Sequence, residues 1–248
     1  MNDKQTQEKS TAKRIGMAAF IVFAVLFALF FFYTENYYHA DRTAVMMLRT
    51  DEYAAVTSSQ TGLLFDGPGA EDLLIFYPGA KVQETAYAPL MRQIAESGMD
   101  VFLVRMPFRL AFFGTNKADE ALQETAGYAN VYIGGHSLGG AMAANYAAEH
   151  AESLDGVILL AAYSTKPLPG SLSVLSVYGT EDGVLNRKNY EKNLANAPNL
   201  QEFVIEGGNH AQFGSYGEQR GDGEASIDPG MQWNETAEAI LEFAGIGE

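Results

Sequence analysis

The sequence predicts an α/β fold, with one mostly parallel central sheet, helices on both of its faces, and a single transmembrane helix ahead of it at the N-terminus. Three observations predict it. Ile15 to Tyr33 (IGMAAFIVFAVLFALFFFY) carries no charge and no proline. From about Tyr53 onward, short apolar runs alternate with stretches of helical spacing, the pattern of βαβ units and right-handed crossovers. Within that pattern the run Asn130 to Gly134 (NVYIG) leads through a glycine-rich turn into an alanine-rich stretch.

As a helix, residues 15–33 rise roughly 28 Å, close to the ~30 Å hydrocarbon thickness of a bilayer. Lys4, Lys9, Lys13 and Arg14 precede the segment, whereas Glu35, Asp41 and one early cation, Arg42, follow it. The positive-inside rule makes residues 1–14 a cytoplasmic tail and 15–33 a single-pass anchor in the cell membrane. It makes 34–52 a linker and puts the domain 53–248 outside the cytoplasm. Tyr33, Tyr37 and Tyr38 suit the aromatic belt at the outer interface. The competing reading is a cleaved signal peptide, which wants a shorter apolar core and a small-x-small site. Here the run ends in bulky Phe31, Phe32 and Tyr33.

The rest of the chain, about 210 residues, is enough for one α/β domain with a full core. Net charge is −15; the first 14 residues carry +2, leaving −17 on the remainder. Such a surface repels nucleic acid and other polyanions. There is no cysteine, which excludes disulfides, a thiol nucleophile, thiolate metal sites and lipid attachment through cysteine.

Ala54–Ser58 and Gly62–Asp66 read as an opening antiparallel hairpin. Leu73–Tyr77 is a continuous apolar run ending at Pro78-Gly79, the signature of a strand buried on both faces. Glu84–Ser97 has helical spacing (Tyr87, Leu90, Met91, Ile94), closed by Gly98. Strands follow at 100–106 and 130–134, separated by a helix at 117–127. Leu138–His150 is helical. Strands follow at Gly156–Ala162 and Leu172–Tyr178; the link of about nine residues between them is short for a crossover helix. Arg187–Asn196 is helical, Glu202–Ile205 extended and Glu235–Phe243 helical.

In parallel sheets of this kind chemistry gathers at the carboxyl ends of the strands. Gly135-His136-Ser137-Leu138-Gly139 fits G-x-S-x-G, a pattern that is weak alone. Flanked by a strand and a helix, it is the nucleophile elbow, which exposes the serine hydroxyl above the sheet. A serine hydroxyl needs a base, and the chain has four histidines. His39 abuts the anchor, His136 is directed elsewhere by the elbow, and His150 closes a helix far from the serine. His210 follows the extended run 202–205, just past a strand end. Asp182, in the turn after Tyr178, is the candidate to orient His210; Glu181 is the adjacent alternative. The order Ser137, Asp182, His210 is the one expected for this fold.

On these residues the chain from about Tyr53 resembles the α/β-hydrolase superfamily, in the small, lid-poor branch of dienelactone-hydrolase-like and esterase-like proteins. Dienelactone hydrolases typically use cysteine, so their lactone substrate is not carried over to Ser137. The resemblance implies an oxyanion hole from the backbone N–H of Leu138 and one in the loop after the third strand. There Tyr77-Pro78-Gly79-Ala80 stands, so Ala80 is the second donor. The short link after Ala162 implies no large cap domain. Pro107–Gly114 (PFRLAFFG) is a candidate lining for an acyl pocket, a plain packing role being the alternative. Phe213–Trp233 is a long polar loop; its Arg220-Gly-Asp222 matches a cell-adhesion tripeptide by chance.

The expected activity is hydrolysis of a small-molecule ester, with amide or thioester second, through an acyl-enzyme on Ser137. Acyl transfer at the cell surface uses the same groups. A non-catalytic binding protein on a degenerate scaffold would lack a triad member. No cofactor is expected and no metal, since Asp222, Glu224 and Asp228 fit no known cage. No sequence feature specifies the oligomeric state.

Overall fold

The structure, a computed structural model, describes residues 2–69 and 71–246, with the side chains of residues 2–12 outside the described set. The chain forms two compact units, the first ending at Tyr37 and the second beginning at Tyr38.

The first unit is one continuous helix, α1 (Asn2–Glu35), which joins the expected tail to the expected anchor. Lys13–Glu35 is long and apolar enough to cross a membrane, with a mean hydropathy of 2.8 over its most apolar window and none of that window buried. The tail cations Lys4 and Lys9 lie outside the described side chains.

Residues 34–52, expected as a linker, divide at the unit boundary. From Tyr38 on they belong to the second unit, where Asp41 caps the short helix α2 (Arg42–Met46) by accepting from the Ala44 N–H. The buried Arg92 guanidinium donates to the carbonyls of Met47 and Arg49 and pairs with Asp51. Polar contacts of this kind leave no hydrophobic period, which is why the segment reads as a linker.

The second unit is built on an eight-stranded sheet of order β1-β2-β4-β3-β5-β6-β7-β8. β1 (Ala55–Ser58) and β2 (Gly62–Asp66) form the expected antiparallel hairpin, and β2 pairs antiparallel with β4 (Asp100–Val104). β3 (Asp72–Tyr77), β5 (Asn130–His136), β6 (Gly156–Leu160), β7 (Ser173–Gly179) and β8 (Leu200–Ile205) run parallel in the remaining ladder.

Alternation along β3 divides the core. Leu74 and Phe76 pack on one face with α3 (Ala88–Glu96) and α7 (Pro229–Ala244). Leu73, Ile75 and Tyr77 pack on the other with α4 (Lys117–Glu124) and α5 (Leu138–Ala147). All five of these side chains are fully buried, and burial of each apolar one stabilises the fold by about 1.5–3 kcal/mol.

The stretch read as one helix at 84–97 is a 3₁₀ turn (Glu84–Tyr87) followed by α3, with Pro89 in the first turn of α3. Proline fits a helix's first turn and has no N–H to continue an earlier one. The final helix α7 starts six residues before its expected start at Glu235. Between β6 and β7 no helix intervenes; Leu168 and Leu172 of the link plug into the core instead.

Candidate active site

Five non-glycine residues have positive φ among those described, and all follow the carboxyl ends of neighbouring strands. They are Lys81 (58°) after β3, Phe108 (54°) and Arg109 (57°) after β4, Ser137 (53°) after β5 and Ala161 (48°) after β6. Each such conformation costs about 1–3 kcal/mol and persists where the surroundings impose it, commonly at functional sites.

Ser137 is the residue between β5 and α5. Its N–H donates to Leu160 O of the adjacent strand (2.9 Å), fixing the turn. A Cβ on Gly139 would lie 2.2 Å from Tyr77 O and 2.4 Å from Pro78 O, so only glycine lets the first turn of α5 press against the loop after β3. The Leu138 N–H opens α5 and has no partner one turn back. Among the described residues no hydrogen bond engages it or the Ala80 N–H. Both amides therefore remain available where the sequence placed the oxyanion donors, and α5's positive end lies at the same point.

Asp182 sits in the turn after β7, as expected. Its Oδ1 accepts from the N–H groups of Val184 (2.8 Å) and Leu185 (2.7 Å), and its Oδ2 accepts from His210 Nδ1 at 2.8 Å. Burial alone would raise its pKa; the His210 contact and the two amides outweigh burial and hold it below the usual carboxylate value. Asp182 is thus ionised at neutral pH and accepts from His210 through Nδ1.

His210 is itself buried. Its Nε2 has no hydrogen-bond partner. Ser137 and His210 line one cavity of about 370 Å³, shared with Leu138, Met142, Tyr163 and Leu185. No direct hydrogen bond joins the serine hydroxyl to Nε2 in this conformation; such contacts are often long before substrate binds. Pro107–Gly114 does not line this cavity among the described residues. Phe108, Phe112 and Phe113 are 54%, 68% and 49% exposed.

Two features escaped the sequence reading. The first is His136, expected to point elsewhere. Its buried ring stands 4.4 Å from that of His210, centroid to centroid. Its Nδ1 is 2.8 Å from Tyr87 Oη, which also accepts from the Gly79 N–H at 2.9 Å. A buried phenol that accepts from an amide needs an acceptor for its own proton, so Tyr87 donates to Nδ1. Burial first, then neighbouring His210, push the His136 pKa well below 6.5, against an opposing pull from the His210 backbone. The second is Asp222. Its Oδ1 accepts from the N–H groups of Gly183 (3.0 Å) and His210 (3.2 Å), and its Oδ2 from that of Ala211 (2.7 Å). An acid twelve residues past the candidate base His210, in a glycine-rich loop, was the available signal. The same contacts give the tripeptide 220–222 a structural role.

A mostly parallel eight-stranded sheet with a strained serine elbow after β5 is the α/β-hydrolase fold. Solved structures share it. Est1E from Butyrivibrio proteoclasticus aligns with TM-score 0.54 and 15% identity, over 78% of this chain and 99% of that one. The Pyrobaculum calidifontis esterase aligns with TM-score 0.56 and 12% identity, over 83% and 90%. Carboxyl esterase 2 from the mycorrhizal fungus Tuber melanosporum gives 0.54 and 13%, over 83% and 91%. At these identities the likeness is one of fold. No curated protein matches the chain. The model of the alpha/beta hydrolase family matches residues 73–234, and the chain belongs to that family.

Proposed function

We propose that this chain is a membrane-anchored serine hydrolase that cleaves a small-molecule ester through an acyl-enzyme on Ser137. The observation that carries the reading is the His210–Asp182 pair, with Nε2 left unengaged in the cavity that Ser137 lines. Ser137 Oγ attacks the carbonyl carbon while Nε2 takes its proton, and Asp182 stabilises the imidazolium. The amides of Leu138 and Ala80 receive the oxyanion. The tetrahedral intermediate collapses as Nε2 protonates the leaving alcohol, and water, activated by the same nitrogen, then releases the acid. The partly apolar cavity favours an uncharged acyl group over a charged one. Amides and thioesters are poorer candidates for the same machinery.

In this reading α1 anchors the protein, with the N-terminus in the cytoplasm and the catalytic domain outside, as its flanking charges favour. A fluorophosphonate probe tests the chemistry. Wild-type protein is labelled at Ser137, Ser137→Ala is not, and the labelled protein has lost turnover of p-nitrophenyl butyrate. A wild-type chain that takes no label ends the hydrolase reading. Labelling without hydrolysis of short esters moves the reading to acyl transfer or amide cleavage. Protease shaving of intact cells tests topology, since a protected domain contradicts the orientation.

A further inference from the structure

Residues 38–41 tie together the two loops that carry the proposed oxyanion donor and the proposed base. On one side, the Tyr38 N–H donates to Lys81 O (2.7 Å) and the Gln83 N–H to Tyr38 O (2.9 Å), forming a parallel bridge between Tyr38 and Val82. The Ala40 N–H donates to Gln83 Oε1 (3.1 Å). These contacts grip the chain directly after Ala80, at Lys81, whose φ of 58° needs external support.

On the other side, the Asp41 N–H donates to Ser215 O (2.9 Å), and Ser215 Oγ donates to Asp41 Oδ1 (2.7 Å). The Arg220 N–H donates to Tyr38 Oη (3.2 Å), and the Tyr38 and Tyr216 rings lie 5.4 Å apart. Ser215 and Arg220 lie between His210 and Asp222, the two ends of the loop that Asp222 closes onto the His210 and Ala211 amides.

We propose that Tyr38–Asp41 is a positioning strap of the active site, which fixes the loop of Ala80 relative to the loop of His210; this rests on the hydrolase reading above. Only Asn36 and Tyr37 separate the end of α1 at Glu35 from the strap. The residues that leave the apolar helix are therefore part of the enzyme. Processing that removed the chain through Asp41 would release a domain with a disordered catalytic geometry.

The test uses the full-length protein in detergent micelles, with Asp41→Ala, Asp41→Asn and Gln83→Ala. Asparagine keeps the oxygen that accepts from Ser215 and Ala44; alanine does not. In folded protein Asp41→Ala and Gln83→Ala each lower kcat for p-nitrophenyl butyrate by about tenfold, a displacement effect. Fluorophosphonate labelling slows in proportion, KM stays nearly constant, and Asp41→Asn retains activity near wild type. A purely structural strap would lower the melting temperature and leave kcat of the folded fraction alone. Wild-type kcat in both folded variants overturns the strap. Should Asp41→Ala not fold, Gln83→Ala alone decides. A wild-type chain that takes no label removes the hydrolase reading and the strap's catalytic role together, whereas a labelled wild type with unaffected variants removes only the strap.

Discussion

The rings of His136 and His210 stand 4.4 Å apart, and the chemistry of one constrains the other. A proton on His136 would be buried beside His210, which in the proposed mechanism itself becomes positive during turnover. Tyr87, by donating to His136 Nδ1, keeps that nitrogen occupied, and burial keeps the ring neutral. The same hydroxyl holds the Gly79 amide, so one phenol steadies both the loop of the proposed oxyanion donor and the neighbour of the proposed base. A Cβ on Gly79 would meet His136 Nδ1 and Tyr87 Oη at 2.8 Å each, which explains glycine there.

Stability should therefore depend on pH through His136. Its folded pKa lies well below the ordinary 6.5. Between those two values the unfolded chain binds a proton that the folded chain does not, so stability falls as pH drops below about 6.5. The slope from this one group approaches about 1.4 kcal/mol per pH unit. His136→Asn keeps an acceptor near Nδ1 and does not titrate. Urea unfolding at pH 7.5, 6.5 and 5.5 should give a wild-type minus variant difference that shrinks toward acid; a constant difference would show that His136 is not held neutral.

Replacing Asp182 with asparagine separates orientation from packing. The amide group at Oδ2 would face Nδ1, forcing its proton onto Nε2, the atom that accepts the serine proton in the proposed mechanism. We expect kcat to fall about 10⁴-fold, as for other triads given the wrong tautomer. The Val184 and Leu185 amides keep their Oδ1 acceptor, so the fold survives. Steady-state kinetics with circular dichroism on the same samples check both halves; near-normal turnover would mean that another group orients His210.

Much of this architecture is legible because its elements are apolar and periodic. β3 shows as LLIFY since both its faces are covered, and the elbow shows because G-x-S-x-G lies between a strand and a helix. Asp182 and His210 follow from position past strand ends. What escapes lies in backbone hydrogen bonding, which leaves no period. Nothing in the spacing of Tyr38 or Asp41 announces contacts with Lys81 or Ser215, more than forty positions away. The true start of α7 had a local signal: Asp228-Pro229, where the aspartate accepts from Met231 N–H and the proline opens the helix. Apolar spacing alone points to the later start.

Asp222 offers a third test, since its two oxygens together receive three amides from the turns of Asp182 and His210. Asp222→Ala leaves those donors without a partner, at a cost of about 1–3 kcal/mol. Asp222→Asn should rescue poorly for its size. Its amide nitrogen would meet the Ala211 N–H, donor against donor, where Oδ2 now accepts at 2.7 Å. Both variants should lower kcat by about ten- to a hundredfold through displacement of His210, with unfolding monitored in parallel. An asparagine variant with wild-type kcat would show that this loop does not set the position of His210.

Met142 should set the acyl length accepted. It lines the cavity with Leu138, Tyr163 and Leu185, and its sulfur meets Thr115 Oγ1 at 3.5 Å. Burial of one methylene is worth about 0.8 kcal/mol, roughly fourfold in kcat/KM if fully realised in the transition state. Across a p-nitrophenyl ester series, kcat/KM should climb by up to that factor per carbon until the cavity is filled, then level or fall. Met142→Ala enlarges the space and moves the peak to longer chains; Met142→Trp moves it to shorter ones. The shift should appear mainly in kcat/KM, because the acyl group is held through the rise to the tetrahedral intermediate. Identical profiles in all three proteins would place the acyl chain outside this cavity, and the alcohol portion of the ester would then be the part bound beside Met142.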